Sequence, residues 1–242
     1  MLRTTSCFIT GANRGIGLEI VRQIINLDPK PINVIAACRN PDKAEELKKL
    51  TSVTNNLHIV RLDVRDFSSY DKLSTEVNQI VGTTGLDLLI NNAGVAAFKT
   101  LSQVSPKDML DSLEVNTVAP LILTKTLLPL IKASDKEKTS KLIVNISAIM
   151  GSISENNQGG MYPYRTSKAA LNMITKSVAA DLEKEGILCV SMHPGWVKTD
   201  MGGKNAPMKV DFSVSKMLKT LGSIDKNSNG KIINFDGKII PW

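Results

Sequence analysis

The chain has 242 residues, 42% of them hydrophobic and 22% charged, which supplies a substantial core and excludes a disordered chain. Lys and Arg total 30 against 23 Asp and Glu, a formal net charge of +7, and aromatic residues are only 4%. The lysines stand among acids, as in "DKAEELKK" and "SDKEKTSK". No basic stripe with stacking rings results, which argues against a nucleic-acid partner and favours a solvated surface or a phosphorylated small molecule.

Cys7, Cys38 and Cys189 lie far apart in apolar contexts with no CxxC, so they read as structural free thiols of a reducing compartment, here the cytoplasm. The N-terminus enters "SCFITGANRGIG" directly, which leaves no room for a signal peptide. No uninterrupted apolar run approaches about 18 residues, which argues against a membrane span.

In chain order, apolar β-branched runs predict seven strands, at 7–10, 33–38, 57–62, 86–90, 141–146, 187–192 and 231–235. Amphipathic stretches between them, among them 15–27, 42–50, 69–81, 106–132 and 161–185, predict helices. Ser105-Pro106 marks a helix start, and Gly186 marks the end of the helix over 161–185. Polar loops fall at 133–140 and 224–230, and a Gly/Lys/Asn/Pro-rich stretch spans 199–211. Strands this apolar need cover on both faces, and strand–helix alternation implies parallel βαβ units. The expected fold is a single doubly wound α/β domain of Rossmann type over 1–242. It has a mainly parallel seven-stranded sheet, helices on both faces and a substrate loop around 199–213.

"TGANRGIG" (10–17) joins the first strand to the first helix. Its glycines at 11, 15 and 17 permit a tight turn and close approach to a phosphate, with helix amides facing the anion. There is no GK[ST], which counts against an NTP-hydrolysing loop. The second strand ends in Cys38 and Arg39 where an NAD site usually presents an acid. With Arg14 in the turn, two guanidiniums suit a 2′-phosphate, hence NADPH/NADP+ as cofactor.

Tyr164 and Lys168 stand four residues apart on a predicted helix and so share one face. A free phenol titrates near 10, and an adjacent cation lowers such a value by about 1–3 units, so Lys168 is expected to bring Tyr164 toward the useful range. Tyr162 is the rival phenol, but its partner four residues on is Thr166, which carries no charge. With two histidines and no HExxH, neither a metal site nor a Ser-His-Asp triad is expected, and His58 and His193 read as structural.

"NNAG" (91–94), Asn116 in "LEVNTVAP", "YRTSK" (164–168) and "HPGWVKTD" (193–200) follow in order. Together with the glycine turn, these segments resemble the short-chain dehydrogenase/reductase family over essentially the whole chain. "GGMYPYRTSKAALN", "HPGWVKTDMGG" and "NFDGKIIPW" look most like its sniffer and C-factor group of carbonyl reductases.

The resemblance implies that Gly11, Gly15, Ile16 and Gly17 cradle the pyrophosphate, with Asn13 also on the cofactor. It implies that Asp63 meets the adenine amine with Val64 beside it, and that Asn92, Ala93 and Gly94 border the adenosine ribose. Pro194, Gly195, Val197 and Thr199 would border the nicotinamide. Lys168 would also hold the nicotinamide ribose, Asn116 would anchor a water linking Lys168 to solvent, and Tyr164 would protonate the carbonyl oxygen as hydride reaches its carbon.

The implied activity is NADPH-dependent reduction of small aldehydes, ketones or quinones. The alternatives are a low-turnover NADPH-binding regulator and an NADP-dependent alcohol or hydroxysteroid dehydrogenase. Trp196 and Met201, beside Gly202-Gly203, suit a lid over substrate or an ordinary packed loop. The leucine-rich stretch "LILTKTLLPLIKA" suits a core or a homo-oligomer contact equally.

"NISAIMG" (145–151) departs from the family pattern, in which a serine stands three residues before the glycine. That position is Ala148. Ser147 precedes it, and successive strand side chains point to opposite faces, so Ser147 is expected to face away with Ala148 in the serine's place.

Overall fold

The computed structural model describes residues 2–135 and 140–242; residues 136–139 of the predicted loop 133–140 lie outside the described residues. The strands are β1 (Ser6–Thr10), β2 (Asn33–Cys38), β3 (Leu57–Arg61), β4 (Leu88–Asn91), β5 (Lys141–Ile146), β6 (Ile187–His193), β7 (Ile232–Asn234) and β8 (Ile239–Ile240). They form one sheet in the order β3-β2-β1-β4-β5-β6-β7-β8. Every pairing is parallel except β7 with β8.

The sheet thus has eight strands where seven are predicted. The added strand is two residues long, too short to show a period, and returns antiparallel through a turn at Gly237 (φ 92°).

The main helices are α1 (Gly15–Ile24), α2 (Glu45–Thr51), α3 (Tyr70–Val81), α4 (Pro106–Leu113), α5 (Ala119–Ala133), α6 (Tyr162–Leu182) and α7 (Val210–Leu221). Ser105 caps α4 in a reciprocal box with Asp108, with Pro106 in the first turn. Gly186 closes the turn after α6 in the left-handed conformation. The predicted helix over 106–132 is one helical run, Pro106–Ala133, that departs from α geometry at a π-turn, Glu114–Val118. Helix α7 cuts into the predicted substrate loop; its buried face, Val214, Met217, Leu218 and Leu221, has helical spacing.

Alternation along the strands builds two cores. Cys7, Ile9, Val34, Ala36, Val144 and Ile146 face one layer, which includes Ile20 and Val21 of α1 and Met217 of α7. Phe8, Ile35, Ala37 and Ile143 face the other, with Leu73 of α3 and Leu123 and Leu127 of α5. The continuous helical run Pro106–Ala133 is long and apolar enough to cross a membrane on length and composition alone. Half of its most apolar window is buried inside this fold, where it forms core.

Strand order reverses between β1 and β4, because β1 runs on to β2 on one side and pairs with β4 on the other. In an open parallel sheet that reversal leaves a crevice at the carboxyl ends of the strands, the usual ligand position. The predicted site segments leave those carboxyl ends: the glycine turn after β1, Arg39 after β2, Asp63 and Val64 after β3, Asn92–Gly94 after β4, Ser147 and Ala148 after β5, and Pro194–Thr199 after β6.

Candidate active site

The glycine turn is held against the β4 exit. Thr10 Oγ1 accepts hydrogen bonds from the amides of Asn92 and Ala93, both at 2.9 Å, and Asn92 Nδ2 donates to the carbonyls of Thr10 and Gly11. Gly11 and Gly15 have φ of 62° and 56°, a backbone that side-chain-bearing residues rarely adopt. At Gly17 space decides instead: a Cβ there would lie 2.3 Å from Gly11 O and 2.5 Å from Asn92 Nδ2. Gly17→Ala is therefore expected to abolish detectable dinucleotide binding and lower the melting temperature, measurable by calorimetry and thermal denaturation. Asn13 and Arg14 are exposed at the lip of the turn.

From the same exit the chain reaches the catalytic candidates. A Cβ built on Gly94 would meet Asn116 Oδ1 at 3.1 Å and Lys168 Nζ at 3.8 Å. Lys168 is buried, donates to Ile146 O at 2.7 Å, and lies 5.8 Å from the centre of the Tyr164 ring. Tyr164, one helical turn earlier on α6, packs edge-on against Phe98 with ring centres 5.7 Å apart. Among the described residues nothing hydrogen-bonds its hydroxyl, which is free for another molecule.

The chain enters α6 through Gly159, Gly160 and Met161, all in the left-handed region (φ 65°, 63° and 50°). For Met161 this costs on the order of 1–2 kcal/mol, the kind of strain found near functional sites.

The electrostatics differ from the sequence expectation. Desolvation dominates at Tyr164 and pushes its phenol up to about 12 rather than down toward neutrality. Burial also pushes the Lys168 ammonium down to about 8, so it keeps its charge at neutral pH and loses it as pH rises through that value. His193, the last residue of β6, is pushed down to about 4 by burial and is neutral at physiological pH.

Asn116 sits in the π-turn and is fully buried. Its Oδ1 accepts from Val95 N, and its Nδ2 donates to Val95 O and to Ser167 Oγ. The side chain thus pins the Gly94–Val95 loop to α6, with both amide protons in use. Pro120 has no N–H to give the Asn116 carbonyl four residues back, so that main-chain oxygen lacks its α-helical partner. Below the site, Asn91 Nδ2 bonds Thr124 Oγ1 and Asn145 Oδ1, Asn145 Nδ2 bonds Thr175 Oγ1, and Ser191 Oγ bonds Thr175 Oγ1. This buried chain ties β4, β5 and β6 to α5 and α6 beneath Lys168.

Ser147 is engaged elsewhere. It is still in the ladder, with its N–H on Met192 O, and its Oγ donates to Asn172 Oδ1 at 2.7 Å, one turn past Lys168 on α6. Ala148 is buried and extended (φ −152°, ψ 151°), so its methyl points opposite to the Ser147 side chain. Ser152 does not stand in either, because its Oγ donates to Pro241 O at 2.6 Å. The turn Ile149–Gly151 presses on α6: a Cβ at Gly151 would lie 2.8 Å from Lys168 Cβ.

At the β6 exit, Gly195 has φ 84°, and Val197 is bridged to Met208. Thr199 Oγ1 accepts from Gly202 N, and its methyl faces the glycine turn, 3.5 Å from a Cβ built on Gly15. Trp196 and Met201 are exposed, with Trp196 Nε1 on Gly202 O at 2.8 Å. Arg39 is exposed at the end of β2. Asp63 Oδ1 accepts from Arg65 N, and Val64 O from the Tyr70 hydroxyl.

Sequence reasoning did not single out Phe98, Thr10, Asn172 or Asp200. Asn172 was findable, because it continues the face of Tyr164 and Lys168 by another four residues; nothing in the sequence distinguishes Phe98 within its loop.

The sequence model of the short chain dehydrogenase family matches residues 5–210, and the chain belongs to that family. Among solved structures, it is similar to the carbonyl reductase Sniffer of D. melanogaster, with a TM-score of 0.96 and 42% identity over 99% of this chain and all of that one. It is equally similar in sequence to an NADPH-bound carbonyl reductase from chicken fatty liver, with a TM-score of 0.94 and 42% identity over the full length of both chains. The C-signal protein of Myxococcus xanthus is 37% identical over 163 residues, 67% of this chain and 96% of that one.

Proposed function

We propose that the chain is an NADP(H)-dependent oxidoreductase that reduces small aldehydes, ketones or quinones, with Tyr164 as general acid. One observation carries the reading. Thr10, which opens the glycine turn, holds Ala93 N, while a Cβ at Gly94, the next residue, would meet Asn116 and Lys168. A dinucleotide laid on the turn therefore ends beside the Tyr164–Lys168 pair.

The residues fit that group. Gly11, Gly15 and Gly17 form a cradle that a side chain would fill, Arg14 and Arg39 are exposed where a 2′-phosphate would lie, and Asp63 and Asn92 would flank the adenosine half. The carbonyl reductase from chicken fatty liver is NADPH-bound in its structure, which supports the same choice here. When bound, the nicotinamide supplies the hydride.

The protein's part is position and proton. Lys168, oriented by Ile146 O, faces the phenol ring and would hold the nicotinamide ribose. The Asn116 main-chain carbonyl, to which Pro120 can give no α-helical donor, can hold a water beside Lys168 and so refill the proton Tyr164 gives up. Phe98 supplies an apolar wall against the Tyr164 ring. With its pKa raised, Tyr164 stays protonated through neutral pH, the form reduction requires; alcohol oxidation requires the phenolate.

The pH dependence follows. Carbonyl reduction is expected to be level through neutral pH and to fall as pH rises through about 8, where Lys168 loses its proton. Oxidation is expected to keep rising at alkaline pH. Lys168→Arg should shift the falling limb upward, because guanidinium keeps its charge. Steady-state rates in both directions with NADPH/NADP+ and NADH/NAD+ check this. Turnover favouring NADH would remove the argument from Arg14 and Arg39.

The second reading, a low-turnover NADPH-binding regulator, draws on Ala148 and on the commitment of Ser147 and Ser152 to other partners.

A further inference from the structure

Arg14, the guanidinium offered to the 2′-phosphate, already holds an anion. Its Nη1 lies 2.8 Å from Asp200 Oδ2, with both side chains largely exposed (67% and 80%). Asp200 belongs to the segment that leaves β6, at the foot of the loop carrying Trp196 and Met201. That segment is internally braced: Lys198 N donates to Met208 O, Met208 N to Trp196 O, and Gly203 N to Thr199 O. Its contact with the glycine turn consists of the Thr199 methyl opposite Gly15 and this ion pair.

We propose that Asp200 is an internal competitor for the cofactor's 2′-phosphate and a determinant of dinucleotide selectivity. This rests on the reading of Arg14 as a phosphate ligand. A guanidinium meets a phosphate through paired N–H donors, and the Asp200 carboxylate occupies one of the groups that this requires. A phosphate monoester carries about −1.5 to −2 at neutral pH, so carboxylate and phosphate repel each other across one arginine. Arrival of a phosphorylated dinucleotide exchanges Asp200 for the phosphate and releases the start of the loop from the glycine turn. A dinucleotide without the 2′-phosphate leaves the pair closed. The 2′-phosphate is thus read twice, once as affinity and once as release of the loop that follows β6.

The test is a double-mutant cycle at low ionic strength, with NADP+ and NAD+ affinities measured by calorimetry on the wild type, Asp200→Asn, Arg14→Gln and the double variant. Exposed ion pairs are weak, so Asp200→Asn is expected to tighten NADP+ by about two- to five-fold and to leave NAD+ unchanged. The tightening should vanish in the Arg14→Gln background and shrink as salt is raised. Equal tightening in the Arg14→Gln background would mean bulk charge rather than competition and would overturn the proposal. No change in NADP+ affinity in Asp200→Asn, with Arg14→Gln still weakening NADP+, would overturn it while leaving Arg14 as the phosphate ligand. An Arg14→Gln variant with wild-type NADP+ affinity would remove the underlying reading as well.

Discussion

Tyr164→Phe is expected to lower carbonyl reduction by about 10²–10⁴-fold while leaving NADPH affinity and thermal stability near wild type. The reasoning is local. The ring is anchored by Phe98 and by the body of α6, and Phe keeps those contacts. The hydroxyl has no partner among the described residues, so its removal orphans no buried group. What disappears is the proton donor at the end of a rigid helix, its phenol held protonated by burial. Steady-state kinetics with fluorescence titration of NADPH check this: the loss should fall on kcat, not on cofactor binding. A variant that kept full activity would remove Tyr164 from the mechanism.

Ala148→Ser is expected to raise kcat, by up to about 10²-fold. A preorganised donor beside a developing oxyanion is worth on the order of 10²–10³ in rate, and the hydroxyls of Ser147 and Ser152 are committed to other partners. Ser147 donates to Asn172 and Ser152 to Pro241 O. The companion variant separates structure from catalysis. Ser147→Ala breaks the bond to Asn172, which also holds Gly151 O, and should cost about 1 kcal/mol of stability with little change in kcat. If Ala148→Ser leaves turnover unchanged and remains folded, the missing hydroxyl is not what limits the enzyme.

Much of this architecture was legible because it depends on periodicity and punctuation. The strand–helix alternation, the glycine turn and the Ser105-Pro106 start each state a local backbone preference that the fold keeps. The Tyr164–Lys168 face follows from helix geometry alone. Ser147 remains in the β5–β6 ladder with its Oγ on Asn172, and Ala148 follows it in extended backbone, the alternation that strand parity describes.

What was not legible depends on tertiary surroundings. A point-charge argument put the Tyr164 pKa below its ordinary value. Burial reverses the sign, since desolvation acts on the phenol and on Lys168 together. The π-turn of the predicted 106–132 helix at Glu114–Val118 has only Pro120 as a local clue, because the turn's purpose is to seat Asn116 against Val95 and Ser167. Strand β8 is too short to carry a pattern. Phe98 and Asp200 join the site through loop geometry that no spacing rule encodes.

The most direct test of the central claim uses NADPH carrying deuterium at the transferable nicotinamide position, with a panel of aldehydes, ketones and quinones. Mass spectrometry of the alcohols from the aldehydes and ketones should find one deuterium on the former carbonyl carbon. Formation should depend on enzyme and be lost in Tyr164→Phe. Saturable NADP+ binding with no alcohol or hydroquinone formed from any member of the panel would contradict the assignment as a carbonyl reductase.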